Sequence, residues 1–217
     1  MPPEQLTPVT SGHFDPRTAG RLGGMLILLW IPTGLLLSSL LLVQHLVTLP
    51  KPQIDEHLRK SLDSTLPLHR GSWFVLHVLA ENCQCSQGVL SHLLSRGPEA
   101  FLSEKVLFIG NQEPARSRLL ERGFSFESIT PGELQTRYRI EGAPVMLVIN
   151  QQGQVAYSGG YSATNQGAPQ DLAIFRALAL GTEVKPLPLF GCAVSRALQK
   201  RLDPLGLKYT KVGSRVP

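Results

Sequence analysis

The stretch WFVLHVLAENCQCSQGVLSHLLSRGP, residues 73–98, decides the fold. Trp73 to Ala80 is apolar apart from His77, the pattern of a strand covered on both faces of a sheet. Ser86 to Ser95 then places Val89, Leu90, Leu93 and Leu94 on one side of a helix, which Gly97-Pro98 closes. Cys83 and Cys85 fall at the junction. A cysteine at a helix N-terminus faces unpaired backbone N–H groups and the positive end of the dipole, and both favour its thiolate.

Downstream, Lys105 to Gly110 reads as a second buried strand, Pro114 to Glu121 as a helix stopped by Arg122-Gly123, and Phe124 to Ile129 alternates like a strand. Strand, helix, strand, helix, strand predicts an α/β layer with parallel neighbours and right-handed crossovers. The pattern then changes. Pro144 to Asn150 is a strand, Gln151-Gln152-Gly153 a tight turn, and Gln154 to Gly159 an antiparallel partner, so the whole sheet is expected to be mixed. Gln170 to Leu180 is the next helix, Ala193 to Leu202 a short last one, and Gln53 to Leu62 an amphipathic one before the first strand.

From Leu22 to Pro50 there is no Asp, Glu, Lys or Arg. At a helical rise of about 1.5 Å per residue, Leu22 to Val43 alone crosses a hydrocarbon layer of about 30 Å. The stretch is too long for the apolar region of a cleaved signal peptide, and it ends VTLPKP with no small-x-small site. An uncleaved transmembrane helix over 22–47 is therefore expected, making membrane lipid a partner through one helix. Basic residues bias the two ends only weakly; the N-terminus is placed inside because the cysteine chemistry suits an outside domain.

Lys and Arg number 21 against 16 Asp and Glu, a formal charge of +5, but they are scattered and no aromatic residues interleave with a basic run. That argues against a nucleic-acid partner. Three cysteines, Cys83, Cys85 and Cys192, are too few and odd in number for a disulfide scaffold, so at least one is free, intermolecular or transiently paired.

Each candidate has two readings. Cys83 and Cys85 are a redox pair or small core hydrophobes; a bond between them needs extended or turn geometry at Gln84. Cys192, in LFGCAVSR just before the last predicted helix, is a third redox thiol that resolves a mixed disulfide, or an ordinary buried cysteine. His77 shares a strand face with Trp73, Val75 and Leu79, and either relays a proton when a thiolate forms or is a hydrogen-bonded core histidine. The cysteines with a histidine could also ligate copper or zinc, although the spacing assigns no metal site.

On these residues the chain resembles the thioredoxin superfamily, especially the membrane-tethered periplasmic thioredoxin-like proteins of cytochrome c maturation. Ala80-Glu81-Asn82-Cys83-Gln84-Cys85 stands where that family carries Ala-x-Trp-Cys-x-x-Cys, with Cys83 matching the exposed nucleophile and Cys85 the resolving cysteine. Gly142-Ala143-Pro144-Val145 matches its cis-proline loop, and Asn150 to Tyr161 its β-hairpin. The resemblance implies a thioredoxin-like fold over 71–180, a central mixed sheet flanked by helices. Residues 1–21 would be a short disordered cytoplasmic tail, 48–70 a linker with a short helix, and 181–217 an extension with a short helix. It further implies thiol-disulfide exchange, without a cofactor, on an extracytoplasmic protein dithiol or disulfide at the plasma membrane, with Cys83, Cys85 and His77 catalytic and Ala143 and Pro144 holding the partner strand. A metal-handling assembly factor and a redox-inactive binding domain are the alternatives. The chain departs from the family in having one residue fewer between the cysteines, Asn82 in place of Trp, and a tail carrying Cys192.

Overall fold

The computed structural model describes residues 25, 27–39, 48–65, 72–111, 113–204, 206 and 208–209. The chain divides into two compact units, residues 1–45 and 46–217. In the first, residues 27–39 are helical, with Leu28, Leu29 and Trp30 exposed. No described helix is long and apolar enough to cross a membrane. The rest of the expected span and the expected tail over 1–21 lie outside the described residues.

The second unit begins with α1 (Glu56–Thr65), followed by β1 (Trp73–Ala80), α2 (Gln84–Arg96), β2 (Leu102–Ile109), α3 (Glu113–Glu121) and β3 (Ser125–Ser128). Next come α4 (Pro131–Tyr138), β4 (Gly142–Ala143), β5 (Val145–Ile149), β6 (Val155–Gly159), α5 (Asp171–Ala179), β7 (Cys192–Ala193) and α6 (Arg196–Leu202). Five strands form one sheet in the order β3-β2-β1-β5-β6. The pairs β1/β2 and β2/β3 are parallel, whereas β5 runs antiparallel to β1 and β6 to β5.

Strand alternation sorts the core into two layers. Val75 and Leu79 of β1 pack with Val89, Leu90 and Leu93 of α2, Leu119 of α3 and Phe175 of α5. Leu76 and Val78 point the other way, onto Leu58 and Leu62 of α1, Leu134 and Tyr138 of α4, and Leu198 of α6. The result is an α/β thioredoxin-like fold, a central mixed sheet with helices on both faces.

Two local outcomes differ from the sequence expectation. Helix α4 was not anticipated, yet Thr130 accepts from the Glu133 N–H while the Glu133 carboxylate accepts from the Thr130 N–H, closing a capping box with Pro131 in the first turn. The last helix, expected from Ala193, starts at Arg196 under a Ser195 cap. Cys192 and Ala193 are drawn instead into a strand opposite Ala143 and Gly142. Backbone pairing there wins over helix propagation because β4 would otherwise be an open edge.

Candidate thiol site

Cys83 ends the turn after β1 and is the N-cap of α2, with extended dihedrals of φ −131° and ψ 111°. Its Sγ lies 3.4 Å from the carbonyl oxygen of Ala143, which comes from the far side of the sheet immediately before Pro144. The Ala143-Pro144 bond is cis, as the loop resemblance implies. Cys192 is the register partner of Ala143 across β4 and β7. Cys85 follows in the first turn of α2, its Sγ 3.8 Å from Oδ1 of Asn165. All three thiols are free. The fold therefore brings Cys83, Cys85, Cys192, Ala143 and Pro144 to one place.

Exposure corrects one expectation. Cys83, matched by resemblance to an exposed nucleophile, is only 1% exposed, while Cys85 and Cys192 are half-buried. The chain's own extension, through Leu189, Ala193 and Val194, packs into the core cluster that holds Cys83. A bridge joins Leu49 to Leu189, the Val194 N–H donates to Glu141 O at 2.8 Å, and the Ala193 N–H donates to the Tyr209 hydroxyl at 2.9 Å. Cys192, expected just before the last helix, where a helix dipole would favour its thiolate, lies instead in a strand and not at the start of α6.

The neighbouring Cys192 thiol, then Cys85, holds Cys83 far below the usual thiol range, against the upward push of burial. The neighbouring Cys83 sulfur, together with burial, pushes both Cys85 and Cys192 up. As a thiol Cys83 donates to Ala143 O; as a thiolate it becomes the acceptor for its neighbours. The three sulfurs are thus unequal, with one position made for negative charge and two for protons.

His77 belongs to a separate constellation. Its Nδ1 lies 2.6 Å from the Tyr161 hydroxyl and its Nε2 2.8 Å from Oε2 of Glu104, so both nitrogens are engaged away from the thiols. It faces the α2/α3/α5 layer, while Cys83 packs in the opposite one. Arg96 binds Glu104 and also Asp171, whose other oxygen meets His92 at 2.8 Å. Burial pushes the Glu104 carboxyl up, but hydrogen bonds from His77 and Arg96 outweigh it and hold the group at about 2. Burial likewise pushes Tyr161 well above the ordinary phenol. Among the described residues no three His, Cys, Asp or Glu side chains are arranged to hold a metal ion.

Sequence reasoning missed the Glu104–Arg96–Asp171 cluster and the bond from the Ala193 N–H to the Tyr209 hydroxyl. Glu104 lies just ahead of the apolar run Val106 to Ile109, and Arg96 ends an amphipathic helix, so each reads as an ordinary solvated charge. The parallel register of β1 on β2 puts His77 opposite Val106 and Val75 opposite Glu104, and α2 and α5 bring Arg96 and Asp171 to them.

Several solved structures are similar at low identity. A hypothetical protein from Sinorhizobium meliloti 1021 is 14% identical, over 58% of this chain and 81% of that one, at a TM-score of 0.45. An uncharacterized conserved protein from Geobacillus kaustophilus is 16% identical over 69% and 90%, at 0.46. StoA from Bacillus subtilis is 18% identical over 42% and 74%, at 0.34. None of the curated proteins matches. The family described as Domain of unknown function (DUF6436) matches residues 52–177, from before α1 into α5, and with that match covering over half of the chain this protein belongs to that family.

Proposed function

We propose that this protein carries out thiol-disulfide exchange with a protein partner, Cys83 forming one half of a reversible disulfide and Cys85 or Cys192 the other. The observation that carries the reading is the placing of Cys83 at a helix N-terminus, 3.4 Å from Ala143 O, with Cys85 two residues further on and Cys192 paired opposite Ala143. Inert core cysteines have no need of three thiols gathered around one helix N-terminus and one proline loop. Exchange moves two electrons: a thiolate attacks one sulfur of a disulfide, that S–S bond breaks, and the far sulfur departs as a thiolate that takes up the displaced proton. His77 has no part in this reaction, because both of its nitrogens are bonded within the Glu104 cluster. The metal-handling alternative lacks an arranged donor set among the described residues.

The exchange domain is tethered by the 22–47 segment and faces an oxidising, extracytoplasmic compartment. Support comes from the charge-free run Leu22 to Pro50 and from residues 27–39, which are helical with Leu28 74% and Trp30 77% exposed. Within that helix Thr33 and Ser39 donate their hydroxyls back to the carbonyls of Leu29 and Leu35, which hides their polarity from lipid.

Disulfide mapping of the full chain by mass spectrometry, in glutathione buffers of graded potential, tests the reading. A reversible disulfide that includes Cys83 is expected; three free thiols in every buffer would refute it.

A further inference from the structure

Cys83 is the sulfur best suited to carry negative charge, yet it is sealed beneath the extension. That cover is integral to the core. Leu189 is 0% and Ala193 3% exposed, Leu198 behind them is 1% exposed, and the segment is stitched to Leu49, Glu141 and Tyr209. Gly191 is locked against the proline loop, since a Cβ there would stand 2.0 Å from Ala143 O and 2.7 Å from Cδ of Pro144. Strand β7 therefore fills the Ala143 edge, where an extended partner would add a strand. An external sulfur must enter elsewhere.

Resting on the exchange reading above, we propose that the working disulfide is Cys83–Cys192, that the entry point for partners is the sulfur of half-buried Cys192, and that the chain acts as an oxidant of partner dithiols. Two geometric facts select Cys192 over Cys85. Gln84 already belongs to α2, so closing a Cys83–Cys85 bond would unwind the first helical turn. Cys192 sits on a strand fixed opposite Ala143, whose carbonyl oxygen touches Cys83, so closure there leaves α2 intact.

The direction follows from access and leaving-group chemistry. A partner thiolate attacks Sγ of Cys192; the Cys83–Cys192 bond breaks, and Cys83 leaves as the stabilised thiolate. The partner's second thiolate then attacks the partner sulfur joined to Cys192, expelling Cys192, which takes a proton. The partner ends as a disulfide and the chain as a dithiol, with two electrons transferred. In the reverse direction Cys192 would have to attack as a thiolate, and the Cys83 sulfur beside it, together with burial, pushes that thiol up, away from the charged form.

The test uses the unmodified full chain. It is oxidised with oxidised glutathione and mapped, then mixed with a reduced two-cysteine peptide, quenched in acid at intervals and mapped again. The expected results are a Cys83–Cys192 bond in the oxidised chain, peptide joined to Cys192 in the quenched samples, and a loss of at least tenfold in peptide oxidation rate for Cys192→Ala. A Cys83–Cys85 bond, or peptide joined to Cys83, overturns this inference while leaving exchange itself standing. Absence of any disulfide at Cys83 removes the exchange reading and this one with it.

Discussion

Gly191 stands so close to Ala143 that a Cβ on residue 191 would lie 2.0 Å from the Ala143 carbonyl oxygen and 2.7 Å from its carbon. That carbonyl is backbone and cannot swing aside, so Gly191→Ala has to lift β7 from β4. A loss of about 1–3 kcal/mol in urea unfolding is expected, the range for forced overpacking. Alkylation of Cys83 by iodoacetamide in the folded chain should rise at the same time. An unchanged rate with lowered stability would mean that the extension is not what seals Cys83.

The thiol donors make a second prediction, about protonation. Cys192 is the largest influence lowering Cys83, and Cys85 the next. In Cys192→Ala the Cys83 midpoint should therefore move up, and in Cys85→Ala by less, as read by ultraviolet thiolate absorbance across pH on reduced protein. The unmodified chain should already hold one thiolate at mildly acidic pH. Identical titrations for all three proteins would show that the sulfurs do not share a proton network.

The Glu104 cluster is tested by acid. Its carboxyl is held at about 2 against an ordinary 4.5, so the folded state binds the proton less tightly than the unfolded one. The stabilisation is fully present above about pH 4.5 and is lost as pH falls towards 2, an amount of roughly 3 kcal/mol at most. Glu104→Gln should remove that part of the acid slope. It should also lower stability near neutral pH by about 3 kcal/mol, because Arg96 and His77 lose a buried partner. Urea unfolding over a pH series measures both; an unaltered slope in the variant would assign the acid sensitivity to other groups.

What the sequence disclosed follows its periodicities. Trp73 to Ala80 was legible as a strand to the residue, since an eight-residue apolar run between turn signals has few other solutions. The junction at Cys83 followed from it, while Gly142 to Val145 was placed as the facing loop only through the family resemblance. The pairing of Cys192 with Ala143 was not legible, because a two-residue strand has no period and its partner lies some fifty residues away. Burial of Cys83 was hidden for the same reason, since its cover comes from a segment whose Pro186 and Pro188 suggest only a stiff linker. Helix α4 was obscured by Pro131 and Gly132, although Thr130-x-x-Glu133 carried the signal.

Thr130 offers a last prediction that separates scaffold from chemistry. Its hydroxyl caps α4, and α4 runs through Leu134 and Tyr138, both 0% exposed, to Arg139, the one described non-glycine residue with positive φ, before the chain turns into Ile140 and the β4 edge. Thr130→Ala removes the oxygen that accepts from the Glu133 N–H and should cost about 1 kcal/mol in urea unfolding. Thr130→Ser keeps the oxygen and should cost a few tenths. In both variants the thiol titration and the disulfide map should match the unmodified chain, because the cap acts on the far end of α4 and touches none of the sulfurs. A changed disulfide map in Thr130→Ala alone would show that the order of α4 sets the position of Ala143, and would move this helix from support of the fold into the placement of the reactive sulfur.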